Sequence, residues 1–104
     1  MTKHELAVHR AAMRCKKLRP EVEIFARMME YKLRLNDHKI NWRKCKVAYL
    51  IACLQEEVNE LKATFPHDQR AALFEAADVA NFAMMIASYD IDKVAAARAE
   101  SKKK

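Results

Sequence analysis

Apolar residues recur at alternating steps of three and four along two long segments, which is the period of a helix with one buried face. In the first segment this face comprises Val47, Leu50, Leu54, Glu57 and Leu61. In the second segment it comprises Ala72, Glu75, Val79, Phe82 and Ile86. One position of each apolar stripe is a glutamate. The pattern therefore predicts a carboxylate on the core-facing side of each of the two helices.

The same period predicts an all-α chain whose helices are joined by short connections. We expect helices at about residues 3–18, 20–35, 43–63 and 68–89, and a short terminal helix at about 92–98. Residues 36–41 are the longest polar interruption and are expected to form a loop. On the helix at 20–35, the expected apolar face consists of Phe25, Met28, Met29, Tyr31 and Leu35.

Composition limits the classes of nucleotide-binding fold that the chain can adopt. The chain has 104 residues, which fits one domain, and it contains no glycine and two prolines. The phosphate-binding loop of P-loop NTPases and the dinucleotide-binding fingerprint both require glycine, so both are excluded. Helices joined by short turns are what remains.

Charge and cysteine content point to a mildly basic protein of a reducing compartment. The net charge is +6, and Lys102, Lys103 and Lys104 supply half of it. The three cysteines have no CxxC spacing, which favours a cytoplasmic protein with reduced, buried thiols. We expect no membrane-spanning run and no signal peptide.

Four carboxylates are expected to converge between the helices at 43–63 and 68–89, because a short connection makes these helices antiparallel neighbours. Glu60 and Asp78 lie one turn beyond Glu57 and Glu75, on the same sides of their helices. Four unpaired negative charges in a partly buried place repel one another and are costly to desolvate. A hard divalent cation, Mg²⁺ or else Mn²⁺, would compensate them. Asn81, one turn after Asp78, adds a polar group to the same wall.

The spacing of these acids resembles that of the MazG-like all-α NTP pyrophosphohydrolases, in particular their small, single-domain, phage-type members. The pattern reads EExxE at residues 56–60, then fourteen intervening residues, then ExxD at residues 75–78. The resemblance covers about residues 20–90. One departure is Ile40-Asn41, which stands where similar loops often carry glycines before the tryptophan.

The resemblance implies a fold and a division of the chain. The fold would be an antiparallel helical bundle of the all-α NTP pyrophosphatase type, completed by oligomerisation to a homodimer or homotetramer. A MazG-like helical domain would span residues 20–98, preceded by a basic helical extension at 1–19 and followed by a basic flexible tail at 99–104.

The resemblance also implies an activity, which is the Mg²⁺-dependent hydrolysis of a (d)NTP between its α and β phosphates to a (d)NMP and pyrophosphate. The residues that would hold the metal ions are Glu57, Glu60, Glu75 and Asp78. Glu56 and Glu57 would be catalytic, with Glu56 orienting the attacking water. The residues that would bind substrate are Lys39, at a phosphate, and Trp42, Asn81 and Phe82, around the base. On residue type alone, Trp42 could equally fill the end of the helical bundle.

Two alternatives to the enzyme remain open. The first is a catalytically weak nucleotide- or metal-binding regulatory module on the same fold. The second is a small basic helical protein that binds nucleic acid through Arg10, Arg14, Lys17 and the terminal lysines. The modest charge of the body makes nucleic acid a poor candidate, and binding of this kind would weaken steeply as salt rises.

Overall fold

The computed structural model describes the backbone of residues 2–37 and 41–103, and the side chains of residues 2–37 and 41–89. Over these residues the chain is all-helical and contains no strand, as the sequence predicts. The helices are α1 (Lys3–Met13), α2 (Pro20–Asn36), α3 (Val47–Thr64) and α4 (Gln69–Lys103), with a single turn of 3₁₀ helix at Trp42–Lys44.

Local sequence determines where three of these helices begin. The Thr2 hydroxyl accepts a hydrogen bond from the Glu5 N–H at 3.0 Å and so caps α1. Pro20 occupies the first turn of α2, where its missing N–H leaves no hydrogen bond unmade. The Asp68 carboxylate accepts hydrogen bonds from two main-chain N–H groups in the first turn of α4, at 3.0 and 3.1 Å.

Three helix boundaries differ from the sequence-based prediction. α1 ends at Met13 rather than near residue 18, since none of its residues is buried and no packing extends it. α3 begins only at Val47, because Cys45 and Lys46 are extended. The basic residues at 43 and 44 therefore precede the helix and do not occupy its first turn. α4 continues through residues 89–92, where a break was expected, into an alanine-rich segment of high helix propensity.

α4 is the central element, because both α2 and α3 pack against it. Asn81 of α4 contacts Met29 of α2, and Asp78 contacts Lys32, so residue numbers rise along one helix as they fall along the other. α2 is therefore antiparallel to α4. α3 is antiparallel to α4 as well, since residues 65–68 alone connect them.

The buried faces of α3 and α4 are the ones that the period predicts. Every residue of the two stripes is buried or half-buried, including Glu57 and Glu75. On α2 the expected face is only partly buried. Phe25, Met28 and Met29 are half-buried as expected, but Tyr31 and Leu35 are exposed, and Lys32 and Leu33 are half-buried instead. The contacts that α2 makes with α4, rather than the apolar character of its side chains, determine which side is covered.

The apolar core is small. Among the described side chains, Leu50, Ala72 and Ala77 are the buried apolar ones, and Asn81 is the buried polar one. The chain exposes 8742 Å², whereas a compact folded monomer of its mass, 12.1 kDa, exposes about 6,000 Å². Part of the exposed surface belongs to large apolar side chains of α2, α3 and α4, namely Val22, Ile24, Tyr31, Leu35, Tyr49, Ile51, Val58, Leu73, Phe74 and Tyr89.

The structure differs from two further expectations that were drawn from the amino-acid composition. The three cysteines are free, but Cys15 is exposed and the other two are only half-buried, so the thiols are not enclosed in a core. The segment Gln69–Tyr89, of 21 residues and mean hydropathy 1.3, has the length and composition of a membrane-spanning helix, where none was expected. One such helix is weak evidence, because core helices of soluble proteins have the same length and composition.

Candidate functional site

Three glutamates from two helices converge where α3 and α4 face each other. Glu57 and Glu60 lie one turn apart on α3, and Glu75 lies on α4. Each places one carboxylate oxygen so that the three oxygens are within 4.8 Å of one another. Glu57 and Glu75 are half-buried and Glu60 is exposed. We call these three residues the carboxylate group.

Asp78, the fourth predicted acid, lies beside the carboxylate group but is paired with a lysine. The Nζ atom of Lys32 in α2 is 3.3 Å from Asp78 Oδ2, and each side chain is about one-fifth exposed, at 21% and 20%. The other ion pairs within the described part of the chain join neighbouring turns of α2. The Lys32–Asp78 pair is therefore the ionic contact that links two helices in this region.

Burial and mutual repulsion raise the pKa values of these acids. Burial is the largest cause for Glu57, and the neighbouring carboxylates of Glu60, Asp78 and Glu75 add to it, so that its pKa rises to about 7. Burial and the proximity of Glu60 also raise the pKa of Glu75. Burial raises the pKa of Asp78 although Lys32 acts in the opposite direction. Near neutral pH the site therefore carries less negative charge than four ordinary carboxylates.

A cavity of about 280 Å³ adjoins the carboxylate group. Its lining comes from α2, the 3₁₀ turn, α3 and α4, and consists of Lys32, Leu33, Asn36, Asp37, Trp42, Leu50, Glu57, Asp78, Asn81, Phe82 and Met85. Trp42, Asn81 and Phe82, the three described residues that were expected around a base, thus share one cavity. Glu57 and Asp78 form the side of the cavity that meets the acids.

Asn81 presents an unpaired acceptor in this lining. The side chain is 4% exposed, and its Nδ2 donates a hydrogen bond to the main-chain oxygen of Met29 at 3.0 Å. The Oδ1 atom is buried and has no hydrogen-bond partner. Because an unpaired buried acceptor costs about 1–3 kcal/mol, this atom is suited to a donor that a ligand supplies.

Trp42 forms an aromatic wall of the cavity. It is half-buried at the start of the 3₁₀ turn, and the guanidinium carbon of Arg43 lies 4.4 Å from the centroid of its ring system. This cation–π contact covers one face of the indole and helps to hold its orientation.

Glu56 is the predicted site residue that the structure places outside this constellation. Glu56 is exposed on α3, about 100° around the helix from Glu57, and belongs neither to the carboxylate group nor to the cavity lining. Lys39 lies outside the residues that the structure describes.

Lys32 is a residue of this constellation that sequence reasoning missed. The available signal was its position on α2, one turn after Met28 and Met29, where the helix otherwise presents apolar side chains to α4. A charged residue on a buried stripe is the same signal that identified Glu57 and Glu75. Leu50, which also lines the cavity, was expected only as a core residue.

The donor set suits a hard divalent cation. All the candidate ligands are carboxylate oxygens, which Mg²⁺ and Mn²⁺ prefer, and opposite ligands of an octahedral Mg²⁺ ion are about 4.2 Å apart. Three oxygens within 4.8 Å of one another therefore need little movement to share an ion. Glu57 Oε2 is buried without a hydrogen-bond partner, so one buried lone-pair acceptor is already in place.

No model of a known protein family, no curated protein and no solved structure matches the chain.

Proposed function

We propose that the protein is a metal-dependent nucleoside triphosphate pyrophosphohydrolase of the MazG-like kind, which cleaves a (d)NTP between its α and β phosphates. The observation that carries this proposal is that the cation-binding acids and the aromatic cavity adjoin each other. Glu57 and Asp78 line the cavity and also lie in or beside the carboxylate group. A ligand with a flat base at one end and a chain of phosphates at the other suits both halves.

The cavity would hold the nucleoside. Trp42 and Phe82 offer aromatic surfaces on which a base can stack. Asn81 Oδ1 would accept a hydrogen bond from an N–H or O–H group of the nucleoside, which would satisfy the acceptor that now lacks a partner. Enclosure by α2 and α4 would also keep bulk water away from the α-phosphate.

The acids would hold Mg²⁺ or Mn²⁺, with Glu57, Glu60, Glu75 and Asp78 as ligands. A bound divalent cation supplies neutralisation of the phosphate chain and of the charge that develops on the leaving pyrophosphate. Glu56, which is exposed and outside the carboxylate group, stays the candidate that would orient the attacking water, and the proton of that water would pass to solvent. In the reaction, the oxygen of water bonds to the α-phosphorus, the bond to the β-phosphate oxygen breaks, and a monophosphate and pyrophosphate leave.

We propose further that the helical bundle is completed by a second copy of the chain, as a homodimer or homotetramer. The support is the small core and the large apolar side chains that α2, α3 and α4 expose. Obligate homodimers cover apolar surface of this kind at their interfaces. Sedimentation equilibrium would test this, and a monomer at micromolar concentration would contradict it.

The free cysteines support a cytoplasmic location as part of the same proposal.

The experiment is a pyrophosphate-release assay on canonical and modified NTPs and dNTPs, with Mg²⁺, with Mn²⁺ and with EDTA. We expect release that requires metal and that is lost in Glu57→Gln. The matched control is Glu30→Gln, since Glu30 is an exposed glutamate of α2 outside the site. If the protein binds metal but turns over no nucleotide, the hypothesis of a regulatory module replaces that of an enzyme. If the metal does not bind, both hypotheses are wrong.

A further inference from the structure

Lys32 is the basic side chain among the described residues that line the cavity. It reaches the site from α2, the helix that supplies no acid to the carboxylate group, and it ends on Asp78 Oδ2 at 3.3 Å. Asp78 is thus held by a cation of the protein itself, while the oxygens of Glu57, Glu60 and Glu75 converge without it.

The Lys32–Asp78 ion pair lies where a bound nucleotide would pass from the cavity to the acids. Along α4, Asp78 lies one turn after Glu75 of the carboxylate group and one turn before Asn81 and Phe82, which suit a nucleoside. A phosphate that joins the nucleoside to a cation on the acids would therefore pass the level of Asp78. Lys32 and Asp78 both line the cavity.

We propose that Lys32 binds a non-bridging oxygen of the phosphate nearest the nucleoside, and that Asp78 occupies this lysine when substrate is absent. This inference rests on the proposed function and adds a substrate-binding residue to it. The lysine exchanges one anionic partner for another, which its flexible four-carbon stem permits. Asp78, once released, is free to join the other three acids around a cation.

The exchange predicts two effects of opposite sign for Lys32→Met, which keeps the length and apolar stem of the side chain. Without its competitor, Asp78 is free, so Mn²⁺ alone should bind several-fold more tightly than to the wild type. Without the ammonium group, a nucleotide should bind roughly ten- to a hundredfold more weakly, the usual effect of losing a charged hydrogen bond. A lysine that only supported the fold would weaken both.

The test compares metal binding and nucleotide binding in four proteins, which are the wild type and three variants. Calorimetry would measure the affinity for Mn²⁺ alone, and then, with Mn²⁺ present, for the α,β-methylene analogues of the common dNTPs. Lys32→Met is compared with the wild type, with Lys32→Arg and with Arg27→Met. Arg27→Met is the matched control because it removes a cation from an exposed ion pair of the same helix.

We expect tighter Mn²⁺ binding and weaker analogue binding in Lys32→Met, recovery of most analogue affinity in Lys32→Arg, and no change in Arg27→Met. Thermal unfolding followed by circular dichroism confirms that each variant is folded. If the wild type binds both ligands and Lys32→Met binds the analogue equally well, this inference is wrong and the proposed function stands. If the wild type binds neither Mn²⁺ nor any analogue, the proposed function is wrong and the inference is lost with it.

Discussion

Asn81 donates its side-chain N–H to the main-chain carbonyl of Met29 at 3.0 Å, and this bond joins α4 to α2 at a residue that lines the cavity. It also determines which atom of the amide remains available. Because Nδ2 is engaged, Oδ1 is left as the buried acceptor.

Asn81→Ala should therefore change both stability and ligand binding. Loss of the bond to Met29 should lower the free energy of unfolding by about 1–2 kcal/mol, as measured by urea denaturation. The affinity for a nucleotide should fall as well, while the affinity for Mn²⁺ alone stays within error. Asn59→Ala, at an exposed position of α3, is the control. Unchanged nucleotide binding in a folded Asn81→Ala protein would remove Asn81 from the binding site.

Glu57→Gln should separate the proposed metal-binding role of this residue from any role in the fold. In EDTA the variant should be as stable as the wild type or more stable, because like-charge repulsion in the carboxylate group is relieved. A divalent metal at a hundred times its dissociation constant should stabilise the wild type by about 2.7 kcal/mol, and the variant much less. Differential scanning calorimetry with and without Mn²⁺ measures both effects. A melting temperature in EDTA well below that of the wild type would show that Glu57 supports the fold instead.

Glu56→Gln changes the adjacent glutamate and is to be compared with Glu57→Gln, since Glu56 is exposed and outside the carboxylate group. It should keep the full stabilisation by Mn²⁺ and lose turnover if Glu56 orients the attacking water. Retention of wild-type turnover would end the catalytic assignment of Glu56.

The metal-free protein should lose stability as pH rises through neutrality. The pKa of Glu57 is raised to about 7 in the folded protein from about 4.3 in the unfolded chain, so the folded state binds more protons between these values. This contribution to stability is fully present below about pH 4.3 and is lost as pH rises through about 7. The raised pKa values of Glu75 and Asp78 act in the same direction.

The measurement is the free energy of unfolding in EDTA at pH values from 5 to 8, for the wild type and for Glu57→Gln. We expect the wild type to show the steeper decline, with the difference concentrated between pH 5 and 8. Parallel pH profiles for the two proteins would mean that Glu57 does not titrate in this range.

Trp42 is the one tryptophan of the chain, so intrinsic fluorescence reports on the cavity directly. Stacking of a base on the indole should quench its emission in a saturable way when a nucleotide analogue is added with Mg²⁺. Tripolyphosphate, which carries the phosphates and no base, is the control and should leave the emission nearly unchanged. A nucleotide that binds by calorimetry without altering the fluorescence would place its base away from Trp42.

Sequence predicted the two helices that carry the acids because their period is strong and uninterrupted. The stripes from Val47 to Leu61 and from Ala72 to Ile86 are covered along their whole length. Local chemistry was equally sufficient for the caps at Thr2 and Asp68. The convergence of Glu57, Glu60 and Glu75 followed from these two facts and from the short connection between the helices.

The contribution of α2 could not be predicted in the same way. The apolar residues of α2 are spread around so much of the helix that more than one face could be buried. Only the contact with α4 selects the face that contains Lys32. The start of α3 was missed because neither cysteine nor lysine, the residues at positions 45 and 46, is a residue type that prevents a helix. Their extended backbone belongs to the tertiary path from the 3₁₀ turn into α3.

The small core has a consequence for how freely this sequence can diverge. Leu50 lines the cavity, and Ala77 immediately precedes Asp78, so the few buried apolar side chains are neighbours of the proposed site. In larger enzymes, selection on folding and selection on activity act mostly on separate positions. Here the two pressures fall on the same part of α3 and α4. We therefore expect substitutions among natural variants to accumulate on α1 and on the outer side of α2, and to be scarce between residues 72 and 82.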